Sequence, residues 1–171
     1  MEILTSAEST QSHTAGYVPA NLNLGSTIAR ALAPSTYPIT AGTYSYEKWV
    51  KGQWTGAFTR IENLKFWCSA SGAGYVASEA IAFSGTTASY AGTTVYQLPI
   101  STVSAKAVNA LVFSAPGTAN IGFTGGLTAS LTTSADGSNE CDYIVIQASI
   151  GANASAGATV QKTFSLSYDE V

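Results

Sequence analysis

Two segments near the C-terminus decide the fold of this chain: Tyr143-Ile144-Val145-Ile146-Gln147-Ala148 and Val160-Gln161-Lys162-Thr163-Phe164-Ser165-Leu166-Ser167-Tyr168. The first is apolar at odd and even positions as far as Val145, which is typical of a central strand covered on both faces. The second alternates between apolar and polar residues, as a strand with one solvated face does. Asp136-Gly137 is a turn signal before the first segment. The C-terminal third therefore predicts antiparallel strands.

Further strands are predicted from residue 44 onward, because short apolar runs recur there between Gly, Ser, Asn and Asp. They cover 44–50, 53–60, 61–69, 79–83, 93–98, 110–113, 121–133 and 141–150. In the third of these, Leu64, Phe66 and Cys68 share one parity, as Phe58 does before them, and Ile61 and Trp67 share the other. That strand therefore either buries both faces or carries a bulge near Glu62-Asn63.

The predicted fold class is all-β: a single antiparallel β-sandwich over 44–171, immunoglobulin-like or jelly-roll, with an extended N-terminal arm. The residues predicted to form its core are apolar and lie on the predicted strands. They are Leu64, Phe66, Trp67, Ile144, Ile146, Phe164, Leu166 and Tyr168.

Residues 1–43 form the predicted arm, since they contain no period-2 run and three of the five prolines. The one stretch compatible with a helix is 26–33, with Ser26 as its cap and Pro34 at its end. The arm is expected to dock on its own sandwich or, preferably, on a neighbouring subunit. The residues expected to bind this partner are apolar and dispersed along the arm: Tyr17, Leu22, Leu24, Ile28, Leu32 and Tyr37.

Composition limits the possible partners. The chain has 171 residues, 46% hydrophobic and only 10% charged, with a net charge of −3 and no run of Lys or Arg. Binding to nucleic acid or to an anionic membrane needs a basic patch, so neither is expected. The N-terminus lacks the basic and apolar regions of a signal peptide, and no apolar run approaches the ~20 residues of a membrane span. A surface with so little charge suits a subunit of an assembly, since an isolated protein usually depends on charge for solubility.

Residues for catalysis are scarce, and no enzymatic activity is predicted. The one histidine, His13, lies in the arm, where no rigid scaffold holds it near a nucleophile. Cys68 could act as a nucleophile only if His13 reached it, because no other histidine is available as its general base. The carboxylates that could act in pairs are scattered over different predicted strands: Glu62, Glu79, Glu140 and Asp142.

No metal or cofactor is predicted either. Oxygen ligands for Ca²⁺ do occur together, in Asp136, Ser138, Glu140 and Asp142, but their spacing lacks the EF-hand pattern. The segment 122–126 is glycine-rich yet has no Lys-Ser/Thr after it, so it is interpreted as a turn or a strand kink.

Two features leave alternatives open. Cys68 and Cys141 are interpreted as buried thiols, with a disulfide between neighbouring strands as the other possibility. The aromatic residues could form a platform that stacks on sugars, although core and interface roles are favoured. They are Tyr44, Tyr46, Trp49, Trp54 and Trp67.

The segments 142–150 and 157–170 together resemble the last two strands of immunoglobulin-like sandwiches: a Tyr and an apolar run, small residues, a Gly, and an alternating strand. The immunoglobulin disulfide pattern is absent, because Cys68 and Cys141 lack the core Trp between them and the Tyr two residues before the second Cys. The resemblance therefore implies the broad sandwich class.

The run Ile61-Glu62-Asn63-Leu64-Lys65-Phe66-Trp67, with the ending Tyr168-Asp169-Glu170-Val171, resembles small structural proteins of tailed-bacteriophage virions. This resemblance implies a capsid decoration (cement) subunit that binds and reinforces the capsid lattice. Its expected partners are the major capsid protein and neighbouring copies of itself, as a homo-oligomer within the assembly. Its expected location is the capsid surface, after synthesis in the host cytoplasm. The alternative is a phage tail module or an adhesin-type carbohydrate-binding sandwich.

Overall fold

The computed structural model describes residues 2–6, 24–27, 35–69, 78–85, 109–123, 126, 128–132, 139–157 and 162–171, and these residues form strands and no helix. In chain order the strands are β1 (Glu2–Ser6), β2 (Lys48–Gln53), β3 (Arg60–Ser69), β4 (Glu79–Ser84), β5 (Asn109–Ala110), β6 (Leu131–Thr132), β7 (Ile144–Ile150) and β8 (Thr163–Glu170). One sheet has the order β1-β2-β7-β4-β5 and the other β6-β3-β8. Every pairing is antiparallel.

The two sheets pack face to face around a common core. Phe66 of β3 lies 5.6 Å from Phe83 of β4 between ring centroids, and Trp54 lies 5.4 Å from Tyr168 of β8. Val50, Ile81, Ile144 and Ile146 from the five-stranded sheet join the same apolar cluster as Ile61, Leu64 and Cys68 from the three-stranded sheet. The predicted all-β class and antiparallel sandwich are confirmed, and the finer choice between immunoglobulin-like and jelly-roll stays a prediction.

Strand β7 occupies the centre of the five-stranded sheet and is buried on both faces, as its continuous apolar run predicts. Ile144 and Ile146 face the core. On the opposite face Val145 packs with Trp49, while Gln147 donates a hydrogen bond to the Ser45 carbonyl at 3.0 Å. Burial of this polar side chain is compatible with stability because it is hydrogen-bonded.

Strand β3 carries a bulge, one of the two arrangements that its sequence parity left open. Glu62 pairs with Asp169 and Lys65 with Ser167, so Asn63 and Leu64 together oppose one residue of β8. Asn63 adopts a φ of 58°, and its side chain donates a hydrogen bond to Asp169 Oδ2 at 2.7 Å. The extra residue lets Ile61 face the core on the same side as Leu64, although their spacing is odd.

Most residues predicted for the core lie there. Leu64, Phe66, Ile144 and Ile146 are buried, and Phe164, Leu166 and Tyr168 are partly buried against them. The exception is Trp67, which is partly buried and opposes Ser165, on the face of β3 away from the core. Cys68 and Cys141 are both buried and unbonded, which confirms the interpretation as free thiols.

Several predicted strands are shorter in the structure or lie elsewhere. Residues 54–59 form a connection, and residues 111–113 follow β5 without strand structure. Among the described residues of 121–133, the strand is the short β6. The predicted strand 93–98 and the Asp136-Gly137 turn lie outside the described residues. The small-residue link after β7 is a surface loop, with most of 151–157 exposed.

The described parts of the arm contact the chain's own sandwich. β1 pairs with β2 over five residues, and Leu24 and Ile39 pack against the core cluster. Tyr46 N–H donates a hydrogen bond to the Gly25 carbonyl at 2.9 Å. Ser26 and Thr27 form a bend, and residues 28–33 of the predicted helix lie outside the described residues.

A buried ion pair joins the two sheets. Glu79 begins β4 in one sheet, Lys162 directly precedes β8 in the other, and Lys162 Nζ lies 2.9 Å from Glu79 Oε2. Their side chains are 4% and 6% exposed. At so low an exposure solvent screens the attraction weakly, so this pair fastens one end of the sandwich.

Candidate docking surface

The loop 112–119 is uncharged and carries two exposed large apolar side chains. Its sequence is Val112-Phe113-Ser114-Ala115-Pro116-Gly117-Thr118-Ala119, and no charged residue occurs anywhere between Lys106 and Asp136. Val112 is 44% exposed and Phe113 is 36% exposed. Val112 and Phe113 are adjacent in sequence, so two of the exposed large apolar side chains belong to one segment.

The first end of the 112–119 loop is tied to both sheets. Leu111 N–H donates a hydrogen bond to the Ile81 carbonyl of β4 at 2.9 Å, and the Cys68 N–H of β3 donates one to the Val112 carbonyl at 2.9 Å. The Leu111 side chain is buried in the core. The residue directly before the exposed pair is therefore an anchor.

Asn120 ties down the other end. Its side chain accepts a hydrogen bond from the Phe66 N–H at 2.7 Å and donates one to the Phe66 carbonyl at 2.8 Å. Its own N–H bonds the Leu64 carbonyl at 3.0 Å. The carboxamide thus pairs with β3 as a neighbouring strand would, at a point beyond the two-residue β6.

Close packing fixes the residues that follow Asn120. Ile121 is buried, and Gly122 N–H donates a hydrogen bond to the Gly85 carbonyl at 2.9 Å. A Cβ atom on Gly85 would collide with Ile121 and with the Asn120 carbonyl, so only glycine permits this approach. Both ends of the loop are therefore held at β3, two residues apart at Phe66 and Cys68, as in compact surface loops that carry function.

The arm residues predicted to bind a partner are only partly within the described residues. Leu24 is partly buried against the chain's own core, whereas Tyr37 is 38% exposed. Four others lie outside the described residues: Tyr17, Leu22, Ile28 and Leu32. The structure therefore offers Tyr37, and not Leu24, for contact with another molecule.

For Trp49 and Trp54, the core role favoured over a sugar-binding platform is confirmed, because both side chains are buried. Trp49 is 1% exposed and meets Tyr143 edge-on at 5.2 Å, and Trp54 is 3% exposed between Phe123 and Tyr168. Stacking on a sugar requires an accessible ring face, which neither indole offers. The three remaining members, Tyr44, Tyr46 and Trp67, are partly buried.

Three of the four carboxylates considered for catalysis are engaged in separate ion pairs. Glu62 lies 2.8 Å from Arg60, Glu79 pairs with Lys162 as described above, and Glu140 lies 3.0 Å from Lys51. His13 lies outside the described residues. Burial raises the pKa of the Cys68 thiol above its ordinary value, so it is not an activated nucleophile.

Lys51 of β2 contacts both an acidic and an aromatic side chain. Lys51 Nζ lies 4.3 Å from the centre of the Tyr143 ring, in addition to its bond with Glu140. Desolvation raises the pKa of Asp142, against the opposing effect of Lys51, and burial raises the pKa of the adjacent Cys141 thiol to about 12. Asp136 and Ser138 lie outside the described residues, and within those residues no three His, Cys, Asp or Glu side chains are grouped to hold a metal ion.

The 112–119 loop was not identified from the sequence as a functional segment, because Ala110–Phe113 was predicted as a strand. The signal that could have found it is Pro116-Gly117, a turn dipeptide in the middle of an uncharged stretch. Exposure of Val112 and Phe113 has no sequence signal, since an apolar pair is equally compatible with a buried strand.

Comparison with protein-family models, with curated proteins and with solved structures finds no match for this chain. In the described part of the chain, no helix has the length and apolar character needed to cross a membrane.

Proposed function

We propose that this chain is a non-enzymatic structural subunit that attaches to a protein shell, a capsid decoration (cement) protein, and that the 112–119 loop forms part of the contact. The observation that carries the proposal is an exposed, uncharged apolar loop whose two ends are both fixed to β3. Preorganisation matters because ordering a free segment on binding costs roughly 1–2 kcal/mol per residue. A loop that is already ordered avoids most of that cost.

The proposed partner is an apolar surface of the major capsid protein, with neighbouring copies of this chain beside it. With a net charge of −3 and few ions, the chain is poorly suited to electrostatic steering, so apolar contact supplies the binding energy. Because Val112 and Phe113 are only 44% and 36% exposed, covering what remains of each is worth about 1 kcal/mol. A single contact of that size is weak, since a Kd of 1 mM corresponds to about −4 kcal/mol. Repetition over a symmetric shell raises the total affinity by avidity.

Cosedimentation with capsid shells tests the contact. Shells of the phage whose genome encodes the chain are stripped of the subunit and mixed with the wild-type chain or with a Val112→Ser/Phe113→Ser variant. We expect the variant to bind at least about tenfold more weakly, as a loss of about 1.4 kcal/mol or more predicts. Raising NaCl from 50 to 500 mM should change wild-type binding little, because apolar contacts are not screened.

Val171→Ser is the matched control, because Val171 is 58% exposed. It is hydrogen-bonded to Arg60, at the start of β3, whereas the loop is held at Phe66 and Cys68. This variant removes an exposed apolar side chain without touching the loop and should bind as the wild type does. Calorimetry supplies the second readout: shells carrying the wild-type chain should melt at a higher temperature than stripped ones. Equal melting temperatures, or equal binding by the loop variant, would contradict the proposal.

A further inference from the structure

Strand β1 is held to the sandwich at one edge of the five-stranded sheet. It pairs with β2 from Glu2 opposite Gln53 to Ser6 opposite Trp49. Its place in the sheet is terminal, in the order β1-β2-β7-β4-β5. Such a ladder is made of main-chain hydrogen bonds, so any strand of the same sequence fits the same edge equally well.

The edge of β2 that receives β1 is fixed by other elements. On its far side β2 pairs with β7, from Lys48 opposite Ile146 to Val50 opposite Ile144. Trp49 and Val50 are buried on opposite faces of the sheet, 1% and 2% exposed. The acceptor edge is therefore defined by contacts made within the body of the sandwich.

Residues 7–23 connect β1 with Leu24. After Ser6, the next point described is Leu24, and the Gly25 and Thr27 carbonyls are held there by Tyr46 N–H and by Lys48 Nζ, at 2.9 and 3.3 Å. The 17 residues of 7–23 span up to about 60 Å when extended. A folded chain of this size has a radius of gyration of about 15 Å, hence a width of about 40 Å. The maximal length of 7–23 therefore exceeds the width of one molecule.

We propose that β1 is exchanged between copies of this chain, each β1 completing the five-stranded sheet of its neighbour at the edge of β2. Exchange conserves the five-residue ladder, so its equilibrium is governed by the local concentration of copies. The proposal goes beyond attachment to a shell, because it specifies the contact between copies, and it can be tested on the free protein.

The test traps the exchanged strand with a disulfide. One chain carries Glu2→Cys and a second, with a different affinity tag, carries Gln53→Cys; these two positions are directly opposed in the ladder, within the Cα separation that a disulfide spans. The native Cys68 and Cys141 are buried and do not compete. The two chains are mixed at 10 µM and at 1 mM in a glutathione redox buffer. We expect a mixed-tag disulfide dimer whose yield rises with concentration.

Two controls make the result decisive. Glu2→Cys mixed with Ser155→Cys, an exposed residue in the loop after β7, measures random thiol collisions. The Glu2→Cys/Gln53→Cys chain at 10 µM should form an intrachain bond, which verifies the ladder. A mixed dimer at least tenfold above the Ser155→Cys control supports exchange. A yield equal to that control, or no intrachain bond in the double variant, would overturn it.

Discussion

At the scale of single residues, the side chain of Asn120 makes the two hydrogen bonds to Phe66 that a neighbouring strand would otherwise make. The short β6 pairs with β3 only at Arg60 and Ile61, so the main chain at Phe66 requires another partner on that side. Asn120 supplies both an acceptor and a donor. Buried main-chain groups left without partners are costly, which makes one carboxamide important for the whole strand edge.

Replacing Asn120 with alanine should therefore destabilise the fold by about 2–4 kcal/mol, because two hydrogen bonds are lost and two main-chain groups at Phe66 lose this partner. The free energy of unfolding in urea measures the effect. Asn153→Ala, at an exposed position, is the control and should change stability by less than about 0.5 kcal/mol. Similar values for the two variants would show that Asn120 does not hold the strand edge.

Residue-level prediction from the sequence succeeded for one kind of side chain and failed for another. Ile144 and Ile146 were placed in the core because an apolar run leaves them no other environment. Asn120 was not singled out, because its partner Phe66 lies 54 positions away in sequence. An Asn in a loop gives no sequence signal of such a distant hydrogen bond. Trp67 was misplaced because it directly follows Phe66 in a regular part of β3, where neighbouring side chains face opposite sides of the sheet.

At the scale of elements, the sequence parity of β3 left two arrangements open, burial of both faces or a bulge, and the structure has the bulge. Ile61 and Leu64 have opposite parity, and only an extra residue allows both to face one core. The short strands were less predictable: β5 and β6 have two residues each, and their pairing depends on partners far along the chain. The 112–119 loop was unpredictable for the same reason, because its ends are held by hydrogen bonds to β3, which is distant in sequence.

Deleting Asn63 should be tolerated far better than deleting Lys65. Without Asn63, Ile61 and Leu64 are two residues apart and face the core in a regular strand, so only the bond to Asp169 is lost. Without Lys65, Leu64 and Phe66 become neighbours, and one of them must leave the core. We expect the Lys65 deletion to cost about 2–5 kcal/mol more, from urea unfolding. Equal costs would mean that the bulge has a purpose other than parity.

At the scale of the whole molecule, the sandwich is closed at one end by the ion pair of Glu79 and Lys162. Glu79 and Lys162 belong to different sheets and are far apart in sequence, so no local sequence pattern predicts that they pair. The sequence showed two charged residues on separate strands, and their pairing depends on how the sheets are stacked. A chain with so few charges nevertheless places two of them where almost no solvent reaches.

Replacing Glu79 with glutamine should lower the free energy of unfolding by about 3–5 kcal/mol, because Lys162 then keeps a buried charge without its carboxylate. Glu62→Gln is the matched control: its ion pair with Arg60 is 36–43% exposed and is worth about 0–1 kcal/mol. A Glu79→Met/Lys162→Met chain should recover most of the loss. If Glu79→Gln and Glu62→Gln were equally stable, the pair would not fasten the sheets.

The two buried thiols can be used to measure how the two sheets separate when the protein unfolds. Cys68 lies in β3 of the three-stranded sheet, and Cys141 accepts a hydrogen bond from the Gly52 N–H of β2 in the five-stranded sheet. An alkylating reagent reaches either sulfur only when the surrounding layer separates. The rates at which the two sites are alkylated therefore report, without any added label, whether the layers come apart together or one before the other.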